Sequence, residues 1–416
     1  MKKVNPFLEK DAVPVDGTYR SLKQLSLKPY DKAKASPYTK VRAILMNGTE
    51  FDSNWFLHQF SRHCNNNELR REIAMVRRHE QQQQKMISSL KPIDESNLES
   101  TISYEQLAVD LTAILAKHVG DDNVKRALNF ALLEDFDHLY RFSNLLDMEQ
   151  GRKGKDITQK FTEIMPGRPT IAEHRHPKDS INKFICNNTS ELFTKLATNI
   201  ITAAEQQTMN YYMNVGNLHP TEEGRKLYAE IAMIEEQHVT EYGSLIDANA
   251  SWLEMWVMHE YTECYLYYSC WEDEDDPYIK AVYQRLYLEE CGHLAKAAEM
   301  LEKYEGKTWQ CCFPHGADFP ELIKFGGNID YIREVLARTV TLTKNQEGYI
   351  DVSKVGERSN YKKYNKQVCK DGKDEPAHVT IQKYIKANGQ DYRYQIAEHP
   401  VAGLRSRTQD NITLAR

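Results

Sequence analysis

The sequence lacks several features that would each assign it to a class of protein. Among its 416 residues there is no apolar run of membrane-spanning length, which argues against a membrane protein. The net charge is only −6, and no basic stripe or arginine-rich arm indicates binding to nucleic acid. The start, Met1-Lys2-Lys3, is charged like that of a signal peptide, but no apolar segment follows it. We therefore expect a cytoplasmic protein that uses neither a membrane nor nucleic acid as partner.

The eight cysteines also lack the spacing of a common metal-binding motif. No two of them form a Cys-x-x-Cys pair, which argues against a zinc ribbon and against a rubredoxin-type iron centre. Cys264 and Cys291 lie next to the candidate ligands described below. They are interpreted either as small buried apolar residues or as redox-active thiols.

A pattern of glutamate and histidine, in contrast, repeats to the residue. Each of two Glu-x-x-His steps follows an isolated glutamate, and the separation is the same in both cases. Residues i and i+3 share one face of an α-helix, so each step directs a carboxylate and an imidazole to the same side. Four helices that bring these groups into a bundle core supply four carboxylates and two imidazoles, the ligands of a di-iron or di-manganese site. The predicted ligands are Glu205, Glu235, His238, Glu260, Glu290 and His293.

These ligands favour two iron or manganese ions over a structural zinc ion. They combine hard oxygen with borderline nitrogen and include no thiolate. Burying an unpaired carboxylate costs several kcal/mol, and converging carboxylates also repel one another, so two divalent cations would compensate both effects. The alternative at this point is a bundle whose buried polar layer holds no metal.

The same spacing of candidate ligands recurs closer to the N-terminus. The second set is displaced along the sequence by the distance from Asp135 to Glu290, and we call this displacement the repeat interval. The flanking sequences agree around these two residues, and Gly151 falls on Gly306, which indicates an internal duplication. Gln83 stands where a histidine is expected, and Asp135 is one methylene shorter than glutamate. This half is therefore predicted to bind one metal, a different metal, or only to form a hydrogen-bonded polar layer. Its candidate residues are Glu50, Glu80, Gln83, Glu105, Asp135 and His138.

The periodicity predicts an all-α protein with eight long helices in two tandem four-helix halves. Irregular extensions flank the halves, and two histidines of the connecting linker, His174 and His176, are expected at the surface. The predicted segments are an N-terminal extension at 1–40, a first half at 41–150, a linker at 151–186, a second half at 187–306 and a C-terminal extension at 307–416. The predicted helices lie near 46–63, 67–90, 101–118, 122–148, 187–214, 221–247, 250–271 and 277–305, with a short one at 328–340.

The order of the predicted ligands resembles that of the ferritin-like superfamily, especially its di-metal members such as rubrerythrins and ribonucleotide reductase small subunits. The resemblance covers residues 187–305, and the first half resembles the family with substitutions. It implies that Glu235 and Glu290 bridge the two metals, that Glu205 and Glu260 are terminal ligands, and that one imidazole binds each metal.

Glu263 and the helix connections need separate interpretation. Glu260 and Glu263 are similar to the Glu-x-x-Glu pair of rubrerythrins, so Glu263 is either an additional ligand or a glutamate outside the ligand set. Family members join the second and third helices by a long crossover, whereas only a short stretch, near 247–250, is predicted to connect them here. This difference favours an up-down-up-down bundle or hairpins exchanged between the halves.

The resemblance implies an oxidoreductase that activates O2 or peroxide, with or without a small-molecule substrate. Because no rubredoxin-like segment is present, its electrons would come from an external donor. Two alternatives stay open, a metal storage or detoxification protein and a non-enzymatic bundle that binds partners through its extensions. Assembly into a homo-oligomer also stays open.

Overall fold

The computed structural model describes residues 3–17, 19–370, 372–388, 399, 401–405 and 410–415. Within these residues the protein has thirteen α-helices and two very short strands, which confirms the all-α class. Among the described residues, no helix combines the length and the apolar character that a membrane crossing requires.

Eight long helices form the body of the molecule, and shorter elements surround them. The helices are α1 (Pro37–His63), α2 (Asn67–Ser88), α3 (Asn97–His118), α4 (Asp122–Gln150), α5 (Gly154–Thr158), α6 (Thr170–Glu173), α7 (Leu192–Leu218), α8 (Glu222–Gly243), α9 (Trp252–Asp273), α10 (Pro277–Glu305), α11 (Ile329–Thr339), α12 (Asn360–Val368) and α13 (Pro376–Asn388). Strands β1 (Ile350–Asp351) and β2 (Leu414–Ala415) pair antiparallel. The short helix predicted at 328–340 corresponds to α11.

The bounds of the long helices repeat at the interval found in the sequence. Helices α7 to α10 begin and end one repeat interval after α1 to α4, at every one of the eight pairs of bounds. Local signals account for part of this match. Asp121 and Asp276 cap the first turns of α4 and α10, and Gly151 and Gly306 end these helices in the left-handed conformation that glycine adopts without strain.

The helical hairpins pair across the two halves of the chain. The hairpin α1–α2 packs against α9–α10, and α3–α4 packs against α7–α8, while α1, α3, α7 and α9 lie together at the centre. The prediction of tandem bundles, one per half, is therefore not what the structure shows. Of the two connectivities left open, the contacts match the exchange of hairpins.

The connections between hairpins are short but longer than predicted. Helix α8 ends at Gly243 and α9 begins at Trp252, so the connection spans 244–251 rather than 247–250. The equivalent connection from α2 to α3 spans 89–96. Each connection leads the chain from one four-helix group into the other, which places consecutive hairpins in different groups.

The segment before α1 and the linker before α7 also occupy equivalent positions. Arg20 donates its backbone N–H to Gln82 at 2.9 Å, and Arg175, one repeat interval later, donates its own to Gln237 at 2.8 Å. Two further pairs of hydrogen bonds are related by the repeat interval. The bond from the N–H of Leu27 to Ser89 corresponds to the bond from Asn182 to Ser244. The bond from the N–H of Tyr30 to Leu90 corresponds to the bond from Ile185 to Leu245. The described parts of the predicted N-terminal extension and linker therefore include matching segments that lie along α2 and α8.

The described part of the C-terminal extension packs on both helix groups. Its first turn, Trp309–Cys312, contacts α9 and α10. Helix α11 contacts α4, and α13 contacts both α4 and α8. Their buried residues join the apolar core around α3, α4 and α8, including Leu336 and Ile381. The later part of the extension, with α11 and α13, thus covers the group formed by α3, α4, α7 and α8.

Gly292 allows the N-terminal segment to approach α10. A Cβ at this position would clash with the backbone oxygen of Val13, whose N–H donates to Leu288 at 2.9 Å. We expect Gly292→Ala to displace the segment and to lower the free energy of unfolding by about 1–3 kcal/mol. Urea unfolding followed by circular dichroism measures this. Gly326→Ala is the control because a Cβ there meets nothing within 4 Å; equal losses in both variants would contradict the explanation.

Candidate metal centres

The candidate ligands lie in two buried clusters, and each cluster takes residues from both halves of the chain. No side chain in either cluster is more than 1% exposed. Cluster I lies between α1, α2, α9 and α10 and comprises Glu50, Glu80, Glu260, Glu263, Glu290 and His293. Cluster II lies between α3, α4, α7 and α8 and comprises Glu105, Asp135, His138, Glu205, Glu235 and His238.

This grouping corrects the prediction that each half would build its own site. The structure divides both predicted ligand sets, because each half sends one hairpin to each cluster. Of the second-half set, cluster I receives Glu260, Glu290 and His293, and cluster II receives Glu205, Glu235 and His238. Of the first-half set, cluster I receives Glu50 and Glu80, and cluster II receives Glu105, Asp135 and His138. Gln83 lies beside cluster I.

Glu235 occupies the centre of cluster II. Two groups of candidate ligand atoms share this residue, and within each group the atoms lie within 4.8 Å of one another. The two carboxylate oxygens of Glu235 lie 3.0 Å from Nδ1 of His138 and 3.0 Å from Nδ1 of His238. A carboxylate in this position can bridge two cations that each carry one imidazole. The two groups are Asp135, Glu205, Glu235 and His238, and Glu105, His138 and Glu235.

Glu80 occupies the same position in cluster I, one repeat interval before Glu235. It too belongs to both candidate groups of its cluster, whereas Glu290, for which the resemblance implied a bridging role, belongs to one. Nδ1 of His293 lies 2.8 Å from Glu80 and 3.0 Å from Glu290. The two groups are Glu80, Glu260, Glu290 and His293, and Glu50, Glu80 and Glu263.

The second group of cluster I contains no imidazole. Gln83, at the position equivalent to His238, donates its Nε2 to Glu289 at 3.3 Å. Its Oε1 has no hydrogen-bond partner in the part of the chain that the structure describes. Glu263 joins Glu80 in this group and is fully buried. The position of Glu263 one helical turn after Glu260 pointed to this residue in the sequence. That position alone did not distinguish a metal ligand from a glutamate outside the ligand set.

Neighbouring carboxylates orient the two imidazoles of cluster II. Nε2 of His238 lies 2.8 Å from Glu134, and Nε2 of His138 lies 3.5 Å from Glu173. Burial by itself would raise the pKa of Glu134, but the Arg175 guanidinium and His238 lower this pKa to about 2. A charged carboxylate at Nε2 leaves Nδ1 as the atom that faces the cluster, as in many metal sites.

Cluster I has a matching outer ion pair, which is not among the residues predicted from the sequence. Glu289 accepts from Gln83 and forms an ion pair with Arg20. The ion pair beside cluster II is formed by Glu134 and Arg175. Glu289 and Arg20 each lie one repeat interval from the equivalent residue of that pair, so the repeat interval is the sequence signal that could have identified Glu289 and Arg20. The same type of ion pair supports each cluster from outside.

The cluster carboxylates have fewer hydrogen-bond donors than their burial requires. Burial, together with Glu80, raises the pKa of Glu290 to about 7, and burial with nearby carboxylates raises the pKa values of Glu205 and Glu263 well above the usual range. Considering only the described residues, the oxygens without a hydrogen-bond partner include both oxygens of Glu205 and Glu263 and Oε2 of Glu50 and Glu105. Lone pairs that converge without donors are suited to cations.

His174, which was expected at the surface, is buried. Its Nε2 lies 2.8 Å from Glu230, and one of its ring nitrogens belongs to a fifth group of candidate ligand atoms, which also includes Cys369 and Glu375. His176 is half-buried at the start of the next turn. The linker is therefore packed against the helices and places polar side chains in the interior of the protein.

No family model, no curated protein and no solved structure matches this chain. The assignment of the two clusters therefore depends on the geometry and chemistry of their own residues.

Proposed function

We propose that this chain is a di-metal carboxylate protein with two clusters of iron or manganese, and that it acts as an oxidoreductase on O2 or peroxide with an external electron donor. The observation that carries this proposal is the convergence of buried carboxylate oxygens without donors around a shared glutamate, Glu80 or Glu235. Burying such groups costs several kcal/mol each unless a cation compensates them. The recurrence of this costly arrangement at one interval supports an internal duplication of a metal-binding unit.

The ligand chemistry of the two clusters favours related but different cations. Cluster II combines four carboxylates with two imidazoles, so two divalent cations would balance its formal charge. Cluster I combines five carboxylates with one imidazole, and the group formed by Glu50, Glu80 and Glu263 offers oxygen only. Oxygen ligands favour harder cations such as Mn(II) or Fe(III).

The protein's own residues would position the ligands and keep water away. Bound metal pairs would supply the redox equivalents and the Lewis acidity for reducing O2 or peroxide. The hydroxyl of Tyr212 donates to Glu105 at 2.6 Å, and that of Tyr267 donates to Glu50, so one carboxylate in each cluster is held by a buried tyrosine. Complete burial of the clusters excludes bulk water and strengthens these interactions.

The test is reduction of hydrogen peroxide by the full chain loaded with Fe(II) or Mn(II) under anaerobic conditions. We expect peroxide consumption above that of the same free metal in buffer, sustained by an added reductant and lost after chelation. Glu235→Ala is expected to lower consumption, whereas Glu236→Ala, at an exposed neighbour on the same helix, should not. Metal binding without excess consumption would refute the oxidoreductase, and a chain that binds no metal would refute the di-metal proposal itself.

A further inference from the structure

Two buried cysteines lie side by side at cluster I. Sγ of Cys264 and Sγ of Cys291 are 4.0 Å apart, and the residues are 0% and 2% exposed. Cys264 directly follows the candidate ligand Glu263 on α9, and Cys291 directly follows Glu290 on α10. Each of the two helices of this hairpin therefore carries a cysteine next in sequence to a candidate ligand.

This thiol pair distinguishes cluster I from cluster II. The positions one repeat interval earlier are Val109 and Phe136, which carry no thiol. Cys270 is buried on the same helix but lies further along it than Cys264, so burial on α9 does not by itself place a cysteine at the cluster. Of the two clusters, the thiols accompany the one that has a single imidazole.

The distance between the thiols suits reversible formation of a disulfide. A disulfide bond is about 2.05 Å long, so the sulfur atoms would have to approach by about 2 Å, a movement within the range of side-chain rotation on facing helices. The pair is free in the structure, as are the other cysteines among the described residues. A small rearrangement therefore separates the dithiol from the disulfide.

We propose that Cys264 and Cys291 form a two-electron redox couple that serves cluster I during the reduction of peroxide. This inference rests on the proposed function and deepens it by naming the protein's own electron store. In the step, one O–O bond and two S–H bonds break, and one S–S bond forms. The two sulfur atoms lose two electrons, the peroxide oxygens gain them, and the two thiol protons complete two molecules of water.

The burial of the pair makes the source of oxidation testable. Peroxide in bulk solvent should first attack exposed thiols such as Cys186, whose pKa is lowered by a hydrogen bond with Thr189. Oxidation that begins instead at the fully enclosed pair requires an oxidant held inside the bundle. The order in which the cysteines oxidise therefore distinguishes reaction at the cluster from reaction at the surface.

The experiment uses the full chain, either metal-loaded or metal-free, treated with a small molar excess of hydrogen peroxide. Acid quenching, alkylation and peptide mass spectrometry then measure each cysteine. We expect a Cys264–Cys291 disulfide to form at least about tenfold faster in the metal-loaded protein, before Cys186 is modified and with Cys270 still reduced. Cys264→Ala should retain the bound metal and consume about one peroxide fewer per chain before reductant is added.

Three results would overturn the inference. Bound metal and peroxide consumption with both thiols still reduced would refute the redox couple while leaving the proposed function in place. An equal rate of disulfide formation in the metal-free protein would refute the link to cluster I. Absence of bound metal in the wild-type chain would refute the proposed function and this inference together.

Discussion

Glu80→Ala and Glu235→Ala are each expected to remove about half of the metal that the wild-type chain binds. With two cation positions in each cluster, a filled chain would hold about four ions, and each variant would retain about two. The effect is large because Glu80 and Glu235 each belong to both ligand groups of their cluster. Elemental analysis of protein purified without added metal, and again after reconstitution, measures the loss. Glu236→Ala, on the exposed face of α8, is the matched control.

A double variant also tests how the hairpins are grouped. In the structure Glu235 belongs to cluster II and Glu290 to cluster I, so Glu235→Ala combined with Glu290→Ala disturbs both clusters. We expect this variant to lose more metal than either single variant. If the ligands were grouped by halves of the chain, both residues would serve one site, and the double variant would lose no more than about two ions. Unchanged metal content would contradict the whole assignment.

Bound metal is also expected to raise the free energy of unfolding. A substitution in cluster II should therefore have opposite effects on stability in the metal-free and the metal-loaded protein. At a free metal concentration of about 1,000 times Kd, each binding site adds about 4 kcal/mol to the free energy of unfolding. In the metal-free protein Glu205 is buried, and the nearby Asp135 and Glu235 help to raise its pKa well above the usual range. Glu205→Gln should therefore stabilise the metal-free protein by about 1–3 kcal/mol and destabilise the metal-loaded one.

Thermal unfolding with and without a chelator measures both effects. Glu236→Gln, at an exposed position, should change the free energy of unfolding by less than about 0.5 kcal/mol in either state. A loss of stability from Glu205→Gln in the metal-free protein would show that the carboxylate has an ordinary structural role, and this would contradict the explanation.

The stability of the metal-free protein should fall as pH rises from about 5 to 8. Burial and Glu80 raise the pKa of Glu290 from 4.5 to about 7, so the folded state holds more protons than the unfolded chain in that interval. Burial would lower the pKa of His238, but Asp135 and other carboxylates raise it well above 6.5, and that stabilisation is also lost as pH rises. Bound metal should oppose this trend, because metal binds the deprotonated ligands. Thermal unfolding across this pH range tests the difference.

Local chemistry explains why the helices and the ligand types could be predicted. The eight long helices were predicted from periodicity and from caps such as Asp276 and Gly306, although α1 begins at Pro37 rather than near residue 46. Glutamate and histidine spaced by three on a helix must share a face, whatever the tertiary structure. The packed segments before α1 and α7 were missed because they lack periodicity and are held by contacts with distant residues, such as that of Arg175 with Gln237.

The sequence by itself determined the secondary structure class, the repeat interval and the residues with metal-binding chemistry, because helix bounds and helix faces follow from neighbours along the chain. Only the tertiary structure decided that Glu235 lies with Asp135 while Glu290 lies with Glu80. The two halves carry equivalent hairpins, so a hairpin of one half presents nearly the same apolar face and ligand spacing to either partner. Local pattern cannot choose between pairing within a half and pairing across halves, and long-range packing makes that choice.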